Sequence, residues 1–370
     1  MPLNRKSRQL SIVPDLLYPR MRTTLLAAVL LVGISWQATA AVKAATPSKP
    51  APAAPILAPL LQSLARDPIA RLEDWRRERV RLRGQWIDYL GRFPAKKAPL
   101  KTGILATEDL TDFIRQRVTY RIEDGVMTDG YLLTPKNVLG RLPAIVVFHQ
   151  TIETQAQQAA GIDASNPELM HGVQLVRRGY VVLCPRCFIF DEGADHAGNV
   201  AIVQRRHPDW TGMTRMTWDG IRAVDFLESL PNVDPARIGG LGHSLGAKGV
   251  LYAAAFDERY RAVVFSEGGI GLGFSNWEAL WYLGKNIRAP GFPLEHHQLM
   301  ALIAPRGFLL LAGETVDGAG SGAFVEAVRP VYALYGARQN VAWLNHAAGH
   351  RYPPAAQERA EAFFDAHLKK

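Results

Sequence analysis

Apolar and polar positions along this chain fall into two rhythms. Residues 113–122 and 126–133 are rich in β-branched and aromatic side chains and flank Glu123, Asp124 and Gly125, which predicts an antiparallel hairpin. Residues 143–148 are an unbroken apolar run, as expected of a strand covered on both faces. Beyond them the pattern alternates. It predicts a helix at 167–178, a strand at 180–183, a helix at 215–230 with Trp218, Ile221, Val224 and Leu227 inward, and a strand at 238–241. Strands at 262–265, 308–312 and 341–344 and a helix at 354–368 complete the series. Strand alternating with helix predicts an α/β fold, a mostly parallel central sheet with helices on both faces. Active sites in such sheets lie at the carboxyl ends of the strands.

The first third of the chain follows other rules. Over 57–92, Leu60, Leu61, Leu64, Ile69, Leu72, Trp75, Val80, Leu82, Trp86 and Leu90 keep an imperfect helical rhythm broken near Pro68. This predicts two helices in an N-terminal helical extension, residues 57–110, ahead of a catalytic domain at 111–370. Residues 41–56 are rich in alanine and proline and predict an extended linker. At the start, Arg20 and Arg22 precede an apolar run at 25–34 and then Ala38, Thr39 and Ala40. A basic segment, a short apolar run and an A-x-A site are the parts of a signal peptide, so residues 1–40 are expected to direct export to the periplasm or beyond and to be cut after Ala40. Met21 would give that leader a more ordinary start.

Charge changes meaning once the leader is set aside. The 370-residue chain carries a net charge of +9, but residues 1–40 hold Arg5, Lys6, Arg8, Arg20 and Arg22 against Asp15 alone, which leaves +5 on the remainder. So mild a bias demands no nucleic-acid partner. The arginines between 76 and 83 lie in a helix-like stretch where charge marks a solvated face.

Chemistry concentrates at Gly242, His243, Ser244, Leu245 and Gly246, a G-x-S-x-G sequence between an apolar strand and a helical repeat of Ala247, Val250, Leu251 and Ala254. A serine hydroxyl is a poor nucleophile at neutral pH and needs a sharp turn that exposes it to a general base. The Leu245 amide, opening the helix, faces where an oxyanion develops. His350 follows the last strand and is the expected base; His346, at the strand edge, is its competitor. Asp317 follows the strand at 308–312 and completes the order nucleophile, acid, base, with Glu267 and Glu314 as alternative acids. His149 invites a metal reading, but the ten histidines show no H-E-x-x-H spacing, and neither metal nor organic cofactor is expected.

Residues 110–370 resemble the α/β hydrolase superfamily, specifically its dienelactone hydrolase and acetyl xylan esterase-like branch. The resemblance rests on 149–151, 218–223, 242–246, 266–269, 302–306, Gly349 and His350. It implies a carboxylic ester hydrolase acting on a small-molecule or carbohydrate ester, with the second oxyanion amide from Gln150 or Thr151. Dienelactone hydrolases proper use a cysteine where this chain has Ser244, so lactone specificity is not implied. An insertion at 266–306 carries Trp277, Trp281 and Tyr282, which either line a substrate pocket or pack the insertion against the sheet. Two other functions stay open: a serine peptidase of the prolyl oligopeptidase type, and a thiol-disulfide protein using Cys184 and Cys187, the only two cysteines. A structural disulfide between these two is the further expectation.

Overall fold

A computed structural model describes residues 53–62, 67–136 and 138–369. The expected leader, residues 1–40, and most of the expected linker therefore lie outside the described residues. Nine strands form one sheet: β1 (Gly103–Asp109), β2 (Phe113–Glu123), β3 (Val126–Pro135), β4 (Leu142–Phe148), β5 (Val181–Pro185), β6 (Val233–His243), β7 (Tyr260–Ser266), β8 (Gly307–Ala312) and β9 (Val341–Asn345). Their order is β1-β2-β3-β5-β4-β6-β7-β8-β9. The predicted hairpin opens the sheet antiparallel, β3 pairs antiparallel with β5, and every pair from β5 to β9 is parallel.

Apolar alternation in the central strands supplies both cores. Ala144, Val146 and Phe148 of β4 point into one buried cluster and Ile145 and Val147 into the other. The same division separates Val263 and Phe265 from Ala262 and Val264 in β7. Because the period is two, a one-residue slip would exchange the two cores, so burial fixes the register. The helices Gly212–Glu228, Leu245–Phe256 and Pro354–Leu368 cover the faces.

The N-terminal extension departs from expectation. Among the described residues of 57–92 there is one helix, Leu72–Leu90, which buries Trp75, Leu82, Trp86 and Leu90. Upstream, Gln62 bridges to Pro68 instead of joining a helix. A proline ring clashes with the preceding turn, and Pro59 and Pro68 each interrupt the apolar rhythm there. The stretch assigned to a helical extension also contains β1, an edge strand with its residues exposed after Gly103, so no inward and outward alternation marks it in the sequence. Finally, the insertion ends at Glu295, because the helix His296–Ile303 belongs to the core: His296 Nε2 lies 2.9 Å from the Tyr252 hydroxyl, and its ring stacks on Trp86. Among the described residues, no helix is long and apolar enough to cross a membrane.

Candidate active site

Ser244 sits between β6 and the helix Leu245–Phe256 with φ 57° and ψ −118°, a conformation that costs a non-glycine residue about 1–3 kcal/mol. Its neighbours leave no alternative. A Cβ on Gly242 would stand 2.0 Å from the Gly246 carbonyl oxygen, and one on Gly246 would stand 2.0 Å from that of Phe148, where β4 ends. The two glycines let the elbow close against the adjacent strand. The Ser244 amide donates to the Ser266 carbonyl at 2.8 Å, which fixes the elbow to the end of β7. Leu245 is buried at the helix start, where unpaired amides and the helix dipole favour a developing negative charge.

His350 lies in the loop after β9, as expected, and its Nδ1 meets Glu267 Oε2 at 3.2 Å. Glu267 follows β7 directly, is fully buried, and takes a strained φ of 50°. Its carboxylate also accepts from the amides of Gly313, Val316 (3.0 Å) and Asp317 (3.3 Å), so the loop after β8 wraps around it.

The structure therefore corrects the placement of the acid. Asp317 does not reach the imidazole. Its carboxylate accepts from the amides of Gly269 at 2.7 Å and Ile270 at 2.8 Å and from Ser321 Oγ at 2.9 Å, and so clamps the base of the insertion. Burial, with Glu267 adding to it, pushes the Asp317 carboxyl up to about 6. The loop contributes its backbone to Glu267 and turns its aspartate the other way. Glu314 is engaged elsewhere, accepting from Ala319 N at 3.0 Å and from Asn345 Nδ2. His346 turns Nδ1 to the Ala348 amide, 3.1 Å away, and makes no bond to an acid.

The loop after β4 is held from below. The Cys187 amide donates to His149 Nε2 at 3.2 Å, so Nδ1 carries the proton and donates to the Gln150 carbonyl at 2.7 Å. Burial pushes His149 down to about 4, which keeps the ring neutral in this role. Gln150 is buried and its side-chain amide donates to Gln158, while Thr151 is exposed.

The cysteines correct the disulfide and redox expectations. Both thiols are free. Cys184 lies in the core on one face of the sheet and Cys187 packs against the core on the other, because Cys184 follows the pleat of β5 while Cys187 lies past its end. Burial pushes the Cys187 thiol up to about 12 and Cys184 higher, the reverse of what a reactive thiol needs.

The insertion's aromatics have divided roles. Trp277 is fully buried, with Nε1 donating to the Gly269 carbonyl at 2.7 Å, and Tyr282 is buried beside it. Trp281 is half-buried, with its ring 5.0 Å from that of His196. Trp277 and Tyr282 enclose Lys248, one turn past Ser244, whose Nζ lies 4.1 and 4.8 Å from the two ring centroids and donates to Ser275 Oγ at 3.2 Å. No sequence pattern singled out this lysine; its one signal is a cation on a helix otherwise free of charge.

Burial pushes the Lys248 amine down to about 7, against the pull of Asp317 and Glu278. Between pH 7 and about 10.5 the unfolded chain then holds a proton that the folded chain lacks, so this group makes stability rise with pH across that window. At about 1.4 kcal/mol per unit, the gain is on the order of 4 kcal/mol. Lys248→Met removes it. Urea melts at pH 7 and pH 10 are expected to show the stability difference between variant and parent moving in the parent's favour by a few kcal/mol; a difference independent of pH would contradict the burial account.

Comparison with known proteins matches this architecture. Residues 128–272 match the model of the dienelactone hydrolase family. Among curated proteins, the 4-O-methyl-glucuronoyl methylesterase of Hypocrea jecorina is 32% identical over 126 residues, covering 27% of this chain and 27% of that protein. The corresponding enzyme 1 of Sodiomyces alcalophilus is 29% identical over 136 residues, covering 29% of this chain and 27% of its own length. The chain thus spans about a quarter of the length of these relatives. Among solved structures, the glucuronoyl esterase from Solibacter usitatus superposes with a TM-score of 0.71 at 20% identity, covering 85% of this chain and 98% of that one. Such a likeness establishes the fold.

Proposed function

We propose that this chain, whose residues 128–272 match the dienelactone hydrolase family model on an α/β hydrolase fold, is a serine esterase that hydrolyses carboxylic esters of sugar acids. The observation that carries the reading is the bond from His350 Nδ1 to the buried Glu267 beside a strained serine elbow. In the proposed reaction His350 takes the Ser244 proton as Oγ attacks the ester carbonyl. The amides of Leu245 and of the 149–151 loop hold the oxyanion, the alcohol leaves with the proton from His350, and water activated by the same imidazole releases the acid. Glu267 holds Nδ1–H and stabilises the imidazolium between these steps.

The names of the curated relatives support a uronic acid on the acyl side and a small alcohol such as methanol on the other. A panel of methyl glucuronate, nitrophenyl esters of increasing acyl length and peptide anilides tests this. Turnover of the glucuronate ester at a kcat/KM at least about tenfold above nitrophenyl acetate, with no anilide cleavage, is the expected outcome. Cleavage of anilides alone would establish the peptidase instead.

A further inference from the structure

We propose that His243, the residue before the nucleophile, is a positioning residue that grips the loop bearing His350 and ties it to both the elbow and the acid; the proposal rests on the esterase reading of this site. His243 is the last residue of β6 and pairs in register with Ser266, the last of β7. Ser244 and Glu267 are the residues that immediately follow the two strands. His243 Nδ1 lies 3.0 Å from Ser266 Oγ, so one side-chain hydrogen bond spans the roots of nucleophile and acid and fixes the rotation of the His243 ring.

The base loop rests on that ring. The His350 ring lies 4.8 Å from it at 41°, and the Tyr352 ring, two residues further along, lies 6.3 Å away at 76°. Tyr352 in turn meets His171 edge-on at 4.4 Å, and His171 lies 6.2 Å from His243. Alternate residues of one loop thus pack on one buried imidazole. His350 needs such a support: its side chain is 37% exposed and Glu267 holds it through Nδ1 alone, an axis about which the ring can swing. A displacement of about 1 Å at a catalytic group costs on the order of 100-fold in rate. The support adds no charge of its own. Burial holds His243 neutral, and positive charge on His350, His171 or His346 would oppose its protonation further. The imidazolium formed on His350 therefore meets a neutral ring.

Four variants test the proposal: His243→Ala, His243→Phe, Ser266→Ala, and the last two combined. Each is assayed for kcat and KM per active site titrated with a fluorophosphonate, so misfolded molecules drop out. His243→Ala is expected to lower kcat about 30- to 100-fold with KM within about threefold. His243→Phe keeps the ring face and loses the bond; it is expected to cost about tenfold, as is Ser266→Ala, with no further loss on combining them. A histidine that only fills the core would lower the melting temperature and the titratable fraction while leaving kcat per titrated site within about twofold, and that result overturns the proposal. Should His243→Ala not fold, the other three variants decide it. Failure of the parent protein to take the label or turn over an ester would instead sink the esterase reading, and this proposal with it, before any variant is compared.

Discussion

Ser244→Ala is expected to lower kcat/KM for an ester by about 10⁵- to 10⁶-fold while leaving the protein folded. The size follows from how a nucleophile, its base and its acid act as one unit: removal of the nucleophile forfeits nearly everything they achieve together, and only oxyanion stabilisation and binding remain. Stability should move little, because alanine inherits the same φ of 57° and the same amide bond to Ser266. Ser244→Gly makes the strain visible. Glycine adopts that backbone freely, so it should be about as inactive as the alanine variant yet gain about 1 kcal/mol over it in urea denaturation. If the alanine variant kept more than about a hundredth of parental turnover, the nucleophile would have to be another group.

The second large effect separates the two buried acids. Glu267→Gln is expected to reduce kcat about 10³- to 10⁴-fold, since an amide facing Nδ1 no longer stabilises the imidazolium and favours the wrong tautomer. Asp317→Asn should leave kcat within about tenfold and act on stability instead. Asp317 accepts two backbone amides and a hydroxyl with its two carboxylate oxygens. An asparagine retains one acceptor and strands a buried donor, a loss of about 1–3 kcal/mol. Steady-state kinetics paired with urea melts read both variants. The reverse assignment, with kcat collapsing in Asp317→Asn and surviving in Glu267→Gln, would restore the acid to the loop after β8.

This contrast shows where the sequence stops being readable. Ser244 and His350 stood out because their signals are local: two glycines and an apolar strand before a helix, and a histidine just past the last strand. The fold class is legible for the same reason, since β4, β5, β7, β8, β9 and the second half of β6 are short apolar runs whose alternation with helices implies a mostly parallel sheet. Choosing among Glu267, Glu314 and Asp317 depends instead on how a six-residue loop turns its side chains. That turn is decided by amides of Gly313, Val316 and Asp317 closing on Glu267, a contact across nearly fifty residues of chain. Lys248 was invisible because the rings that bury it, Trp277 and Tyr282, come from an insertion whose path no periodicity describes. The edge strand β1 was missed because its exposed face gives no alternation. The cysteines misled in the opposite way: a C-x-x-C spacing suggests pairing, while the pleat of β5 sends the first thiol to the far side of the sheet from the second.

In the proposed mechanism Ser244 is a nucleophile activated by His350 and Glu267. Peptide mass mapping after treatment with a fluorophosphonate tests that role. The reagent should add to one residue, Ser244, at a stoichiometry near one per folded chain, with no addition in Ser244→Ala and slow addition in Glu267→Gln. A folded protein that stays unmodified, or carries the label on another residue, would contradict the account.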